Sequence, residues 1–130
     1  MPVSAALILF AHGSRDPEWV RPFEALRASV RQQTPELPVA LAYLESSAPD
    51  LDDCVRALAA DGITSIRVLP LFLAMGRHLR TDLPALAAQI RSEYPGLAIE
   101  FLPALGETPE FVEALGAIAA RALRDMPAAR

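Results

Sequence analysis

Short apolar runs alternate with amphipathic helical stripes along the whole chain, and this alternation restricts the fold more than any other feature. Val3–Ala11 is an apolar run with no solvated side, as expected of a strand buried on both faces of a parallel sheet. Val39–Leu44, Ser65–Phe72 and Leu97–Leu102 read as the second, third and fourth strands, with Pro70 near the end of the third. Between them lie residues at helical spacing. Trp19, Phe23, Leu26 and Val30 follow Asp16-Pro17, a pattern of N-cap and proline at the first helical position. Pro22 interrupts this stripe, so either the first helix is kinked there or a short turn precedes a helix that starts at Pro22. Leu51, Cys54, Val55 and Leu58 mark a second helix that ends at Asp61-Gly62. Leu79, Leu83, Leu86, Ala87, Ile90 and Tyr94 mark a third, closed by Pro95-Gly96. Thr108-Pro109 opens a last helix with Phe111, Leu115, Ile118 and Ala122 on one side.

Strands that alternate with helices predict an α/β fold: one domain with about four parallel strands and helices on both faces of the sheet. No linker separates a second domain, and residues 1–126 are expected to form the unit, with 127–130 as a tail. With 52% hydrophobic and 22% charged residues, the 130-residue chain has the composition of a protein with a packed core. A net charge of −4 argues against generic nucleic-acid binding. Every basic residue is an arginine, so anionic ligands must be held by planar guanidinium groups or backbone amides. The single cysteine, Cys54, lies on the apolar side of the second helix and reads as a buried structural thiol, which suits a cytoplasmic protein. The first apolar run lacks a basic leader and is too short to span a bilayer, so neither a signal peptide nor membrane association is expected.

In an open parallel sheet, ligands bind beyond the carboxyl ends of the strands. The loops at that edge run from His12 to Asp16, Glu45 to Ser47, Met75 to Arg80 and Gly106 to Thr108. They hold both histidines of the chain, His12 and His78. Two neutral imidazoles facing each other make a divalent-metal site or an acid–base pair. Taken singly, His12 also fits a core histidine bonded to backbone, and His78 an exposed residue at a helix start. Gly13 and Ser14 let the backbone turn sharply beside His12 and approach a ligand. Glu45 ends an otherwise apolar strand; it is either a surface acid or the carboxylate of a two-histidine, one-carboxylate set. Arg15, Arg77 and Arg80 bracket the histidines and would make the mouth of the site basic on an acidic protein, gathering a polyanionic substrate. Ser14 is placed to donate a hydrogen bond there. The Gly-x-Ser-x-Gly elbow, the Gly-x-Gly-x-x-Gly fingerprint and a Walker-type loop are all absent.

Three blocks carry a resemblance: Leu9-Phe10-Ala11-His12-Gly13-Ser14-Arg15-Asp16-Pro17, then Tyr43-Leu44-Glu45, then Pro70-Leu71-Phe72-Leu73-x-x-Gly76-x-His78-x-x-x-Asp82-Leu83-Pro84. Together and in this order they resemble the CbiX/SirB class II tetrapyrrole chelatases, over nearly the whole chain. The resemblance implies a single chelatase-like domain with flavodoxin-like strand order 2-1-3-4. It implies an enzyme, a lyase, that inserts cobalt, iron or nickel into sirohydrochlorin on the way to cobalamin- or sirohaem-type tetrapyrroles. The divalent metal is a substrate, and no organic cofactor is implied. His12, His78 and Glu45 match the family's metal-binding and catalytic positions, with His12 as proton acceptor. Phe72, Leu73, Ala74, Met75, Gly76 and Arg77 match the loop that lies against the macrocycle, and Ser14, Arg15, Glu45 and Arg80 would also bind substrate. The chain has the length of the short form of the family, which is expected to pair as a homodimer. Two other readings stay open: a non-catalytic carrier of metal or tetrapyrrole, and a small hydrolase using His12 and Ser14.

Overall fold

The computed structural model describes residues 4–128. Four strands, β1 (Ala5–Ala11), β2 (Val39–Tyr43), β3 (Ser65–Pro70) and β4 (Ala98–Phe101), form one sheet. All pairs are parallel and the order is β2-β1-β3-β4, the expected 2-1-3-4. Four helices connect and follow them: α1 (Arg21–Gln33), α2 (Leu51–Ala60), α3 (Arg77–Glu93) and α4 (Pro109–Arg124).

Register explains the core. Ile8 pairs with Ala40 and Val68, and Ile66 with Ile99, so these side chains share one face of the sheet. Leu51, Cys54, Val55 and Leu58 of α2 and Leu83 and Ile90 of α3 pack on that face. Ile8, Phe10, Ile66 and Val68 are almost wholly excluded from water, each contributing about 1.5–3 kcal/mol by burial. The opposite face presents Ala5, Leu7, Leu9 and Ala11 of β1, Val39 and Tyr43 of β2, and Ser65, Arg67 and Leu69 of β3. There α1 lies over β2, with Val30 lining a groove against Leu7 and Val39.

The ambiguity at Pro22 resolves into two pieces. A 3-10 turn over Pro17–Val20 is capped by the Asp16 side chain, which accepts from the Glu18 N–H at 2.9 Å. The α-helix then starts at Arg21, with Pro22 in its first turn, where no intrahelical donor is lost. Strand boundaries contract by one or two residues. The run to Phe72 leaves the sheet after Pro70, although the Leu71 N–H still donates to the Phe10 carbonyl at 2.8 Å. The expected start at Val3 lies outside the described residues. Helix α3 begins at Arg77 and runs through Pro84 to Glu93.

The last helix departs most from expectation. The stripe through Phe111, Leu115, Ile118 and Ala122 forms a helix as expected, yet no residue of α4 is buried, and Leu115 and Ile118 are 50% and 56% exposed. The stripe specifies a helix with one apolar side; it does not specify what covers that side. Helix α4 leaves the sheet from a 3-10 turn, Leu105–Glu107, and packs extensively on that turn alone. Pro127 and Ala128, the start of the expected tail, are exposed and non-helical, and residues 129–130 lie outside the described part.

Candidate functional site

The carboxyl ends of β1 and β2 continue past the sheet as two loops held side by side. The Leu44 N–H donates to the Ala11 carbonyl at 2.9 Å, and the Glu45 N–H to the His12 carbonyl at 3.1 Å. This extension of the ladder sets the two side chains together: His12 Nδ1 lies 3.7 Å from Glu45 Oε1. That is beyond a direct hydrogen bond. Both groups are largely open to solvent, with side chains 55% and 64% exposed.

Gly13 makes the approach possible. It adopts φ +99°, and a Cβ there would stand 1.7 Å from the Glu45 carbonyl oxygen. Only glycine meets both demands. Beyond it, two serines clasp the loops. The Ser14 N–H donates to Ser47 Oγ at 3.0 Å, and the Ser47 hydroxyl donates to the Ser14 carbonyl at 2.8 Å. Ser14 Oγ accepts from the Asp16 N–H at 3.1 Å, so the sequence-selected Ser14 orders its own loop. Among the described residues no hydrogen bond joins Ser14 to His12, so the pairing a serine hydrolase needs is not formed.

Phe72 supports His12. The rings meet edge to face, with centroids 6.1 Å apart at 78°, and Phe72 stacks in the same manner on Phe10. Phe72 is buried, so it backs the imidazole and offers little of its own surface to a ligand. The following residues are open: Leu73 is 69% exposed, Ala74 and Gly76 are exposed, and Met75 packs partly on the core. A hydrogen bond from the Gly106 N–H to the Phe72 carbonyl, 2.9 Å, fixes this segment. A Cβ at Gly106 would stand 1.7 Å from the Leu73 carbonyl oxygen.

His78 is the second residue of α3, exposed, in the helix that Gly76 caps without a side-chain bond. Among the described residues no three His, Cys, Asp or Glu side chains stand close enough to hold a metal together, so His12, Glu45 and His78 are not preassembled as a ligand set. The pair at the ends of β1 and β2 is assembled. Arg15, Arg77 and Arg80 are all exposed, and among the described residues none forms an ion pair. Arg80 and Met75 also line a cavity of about 680 Å³ between α3 and the end of β4.

Away from this edge, Cys54 is buried in the core as expected, and that burial pushes its thiol up to about 11. Tyr43 is raised as well, first by burial and then by Glu24. The Ser14–Ser47 clasp, the aromatic support from Phe72 to His12 and the close approach at Gly106 join residues far apart in the sequence, and no local pattern marks them. No helix of the described residues is long and apolar enough to cross a membrane.

Comparison with known proteins bears on the family and the fold. Residues 6–122 match the family described as CbiX. A sirohydrochlorin cobaltochelatase of Methanothermobacter thermautotrophicus is 35% identical over 78 residues, which cover 60% of this chain and 54% of that protein. The chain thus spans about half the length of this curated relative. A putative cobalamin (vitamin B12) biosynthesis CbiX protein from Marinobacter aquaeolei superposes with a TM-score of 0.83 at 34% identity, covering 94% of this chain and 99% of that one. The sirohydrochlorin chelatase SirB from Bacillus subtilis subspecies spizizenii, solved with cobalt, superposes at 0.71 and 26% identity, over 92% of this chain and 51% of that one.

Proposed function

The chain belongs to the CbiX family, and on that premise we propose that it inserts a divalent metal, cobalt, iron or nickel, into sirohydrochlorin. The observation that carries this reading is the His12–Glu45 pair at the open end of the sheet, braced by Phe72. Metal insertion removes two pyrrole N–H protons and places one dication among the ring nitrogens. A neutral imidazole both accepts such a proton and holds such an ion loosely enough to release it. With Nδ1 toward Glu45, His12 keeps Nε2 for the proton or the metal. The Glu45 carboxylate stands 3.7 Å away, on the Nδ1 side of the ring.

We assign His78 as the third metal contact, reached when metal or substrate binds, since the three side chains are not gathered beforehand. Leu73, Ala74, Met75 and Gly76 form the open surface against a flat macrocycle, with Phe72 beneath His12. Arg15, Arg77 and Arg80 take the substrate's peripheral carboxylates, which a guanidinium binds in bidentate fashion. Gly13 and Ser14 set the loop. We take residues 1–126 as the catalytic unit and 127–130 as a tail, place the protein in the cytoplasm, and infer that two copies act together. The buried, unpaired Cys54 fits a reducing compartment.

The test is a set of variants. His12→Ala and His78→Ala are each expected to lower the rate of insertion at least 100-fold while circular dichroism stays unchanged. Glu45→Gln is expected to lower it about 10-fold. Wild-type rates in either histidine variant would refute the two-histidine mechanism. Tight macrocycle binding without any rate enhancement in the wild type would identify a carrier.

A further inference from the structure

The carboxylate beside His12 is held by the backbone that carries it. The Glu45 side chain is 64% exposed and meets His12 Nδ1 only at 3.7 Å, so its own contacts do not fix it. The loop after β2 does. Its base is closed by the Tyr43 N–H, which donates to the Pro49 carbonyl at 2.9 Å. The Glu45 N–H donates to the His12 carbonyl at 3.1 Å. The Ser47 N–H then turns back to the Glu45 carbonyl at 2.8 Å, two residues earlier, which is the bond of a γ-turn. The residue at its centre, Ser46, sits at φ +65°. This is the rare, strained form of the turn, and serine is not among the residues that favour the left-handed region. Ser46 is exposed, so no burial of its own keeps it there.

A strained turn persists only where its surroundings dictate it. Ser47 supplies that constraint. Its half-buried hydroxyl accepts from the Ser14 N–H at 3.0 Å and donates to the Ser14 carbonyl at 2.8 Å. One side chain thereby ties the residue that closes the turn to the loop that carries His12. Among the described residues no other side chain hydrogen-bonds from one of these loops to the other. Ser14 gives this clasp only its backbone, while its own hydroxyl accepts from the Asp16 N–H. The serine of the His12-Gly13-Ser14 block is therefore replaceable in the clasp, and Ser47 is not.

We propose that Ser47 is a positioning residue for metal insertion: bonded twice to the Ser14 backbone, it holds the turn at Ser46 and so keeps the Glu45 carboxylate beside His12. This deepens, and rests on, the reading of His12 and Glu45 as the pair that serves insertion. The Ser47 hydroxyl is engaged by backbone on both its donor and its acceptor side, so it acts through Glu45 and not on the substrate. Without it, the Ser14 N–H and carbonyl lose their partner, the turn relaxes, and Glu45 is no longer held at the imidazole.

Amide exchange and kinetics test the two halves separately. In Ser47→Ala, exchange at the Glu45 amide, which Ser47 Oγ does not touch, should quicken about 10-fold, while the Leu44 amide, bonded to Ala11, keeps its rate. Ser47→Thr retains the hydroxyl and should restore the protection. Ser14→Ala should leave the Glu45 amide protected. An unchanged Glu45 amide in Ser47→Ala, or equal quickening at Leu44, would overturn the proposal. In the insertion assay, kcat should fall about 10-fold in Ser47→Ala with KM for the macrocycle unchanged, and recover in Ser47→Thr. Ser46→Val, which disfavours the left-handed turn, should lower kcat in the same way. Ser47→Ala/Glu45→Gln should be no slower than Glu45→Gln alone, because a residue that acts through Glu45 then has nothing left to position. Additive losses would show that Ser47 acts by another route and would overturn the proposal. A loosened Glu45 amide with a wild-type kcat would overturn it as well. Insertion by the wild type no faster than the metal-only control would refute the insertion reading itself, and the role of Ser47 with it, whatever the amides show.

Discussion

Replacing Gly13 by alanine tests how the site is held. Two costs add at this position. The backbone sits at φ +99°, where an L side chain is strained by about 1–3 kcal/mol. The new Cβ would also lie 1.7 Å from the Glu45 carbonyl oxygen, against an ordinary carbon–oxygen contact of about 3.3 Å, so the two loops must part by roughly 1.5 Å. The Glu45 N–H to His12 carbonyl bond, 3.1 Å, is the link that such a shift breaks. The expected loss of stability is about 2–4 kcal/mol, read from urea unfolding. Because the shift separates the reacting pair, insertion should slow by about 100-fold even where the protein remains folded. Gly62 supplies the control. Its φ is +90°, but nothing lies within 4 Å of a Cβ built there, so Gly62→Ala carries the strain without the collision. Gly62→Ala is expected to lose about 1–2 kcal/mol and keep its turnover. If Gly13→Ala matched Gly62→Ala in both stability and rate, the close approach would not be what positions His12 and Glu45.

Gly106→Ala should disturb the other side of the site, because its Cβ would stand 1.7 Å from the Leu73 carbonyl oxygen. Steady-state assays are expected to show KM for the macrocycle rising about 10-fold with a smaller change in kcat; an unchanged KM would remove the Leu73–Gly76 segment from the binding surface. Stability should fall at alkaline pH through Cys54. Its thiol ionises at about 11 in the fold against about 9 when exposed, so the native state holds the proton more tightly and its advantage is complete below about 9 and lost as pH rises through 11. A two-unit shift corresponds to roughly 2–3 kcal/mol. Unfolding midpoints from pH 8 to 11 should therefore drop more steeply in wild type than in Cys54→Ala, and parallel curves would show that the thiol does not report on the core.

The sheet was legible because its evidence is local. Apolar runs bounded by proline, glycine and capping residues mark β1 to β4 within two residues at each described end, and Asp16-Pro17 marks a real cap. Where local signals conflicted, as at Pro22, geometry decided: a short 3-10 turn brings Trp19 within 4.4 Å of Phe23, centroid to centroid, and lets the helix begin where proline costs nothing. The placement of His12 near Glu45 follows from the rule that ligands gather at the carboxyl edge of a parallel sheet: register puts Ala11 against Tyr43, and just beyond it the Glu45 N–H donates to the His12 carbonyl. The resemblance puts Phe72 in the loop against the macrocycle; in the fold it is buried and meets His12 edge to face. Its role depends on Phe10 and His12, residues that sequence spacing does not bring near it. The position of α4 was out of reach for another reason. An amphipathic stripe states that one side must be covered and says nothing of which chain covers it.

The central claim is that the pair at the ends of β1 and β2 serves metal insertion. Its most direct test is the absorbance time course of sirohydrochlorin with Co2+, Fe2+ or Ni2+, anaerobically, with and without the protein. The account predicts insertion of at least one of these metals faster than the metal-only control, with the enhancement lost in His12→Ala. A time course that the protein leaves unchanged for all three metals would contradict it.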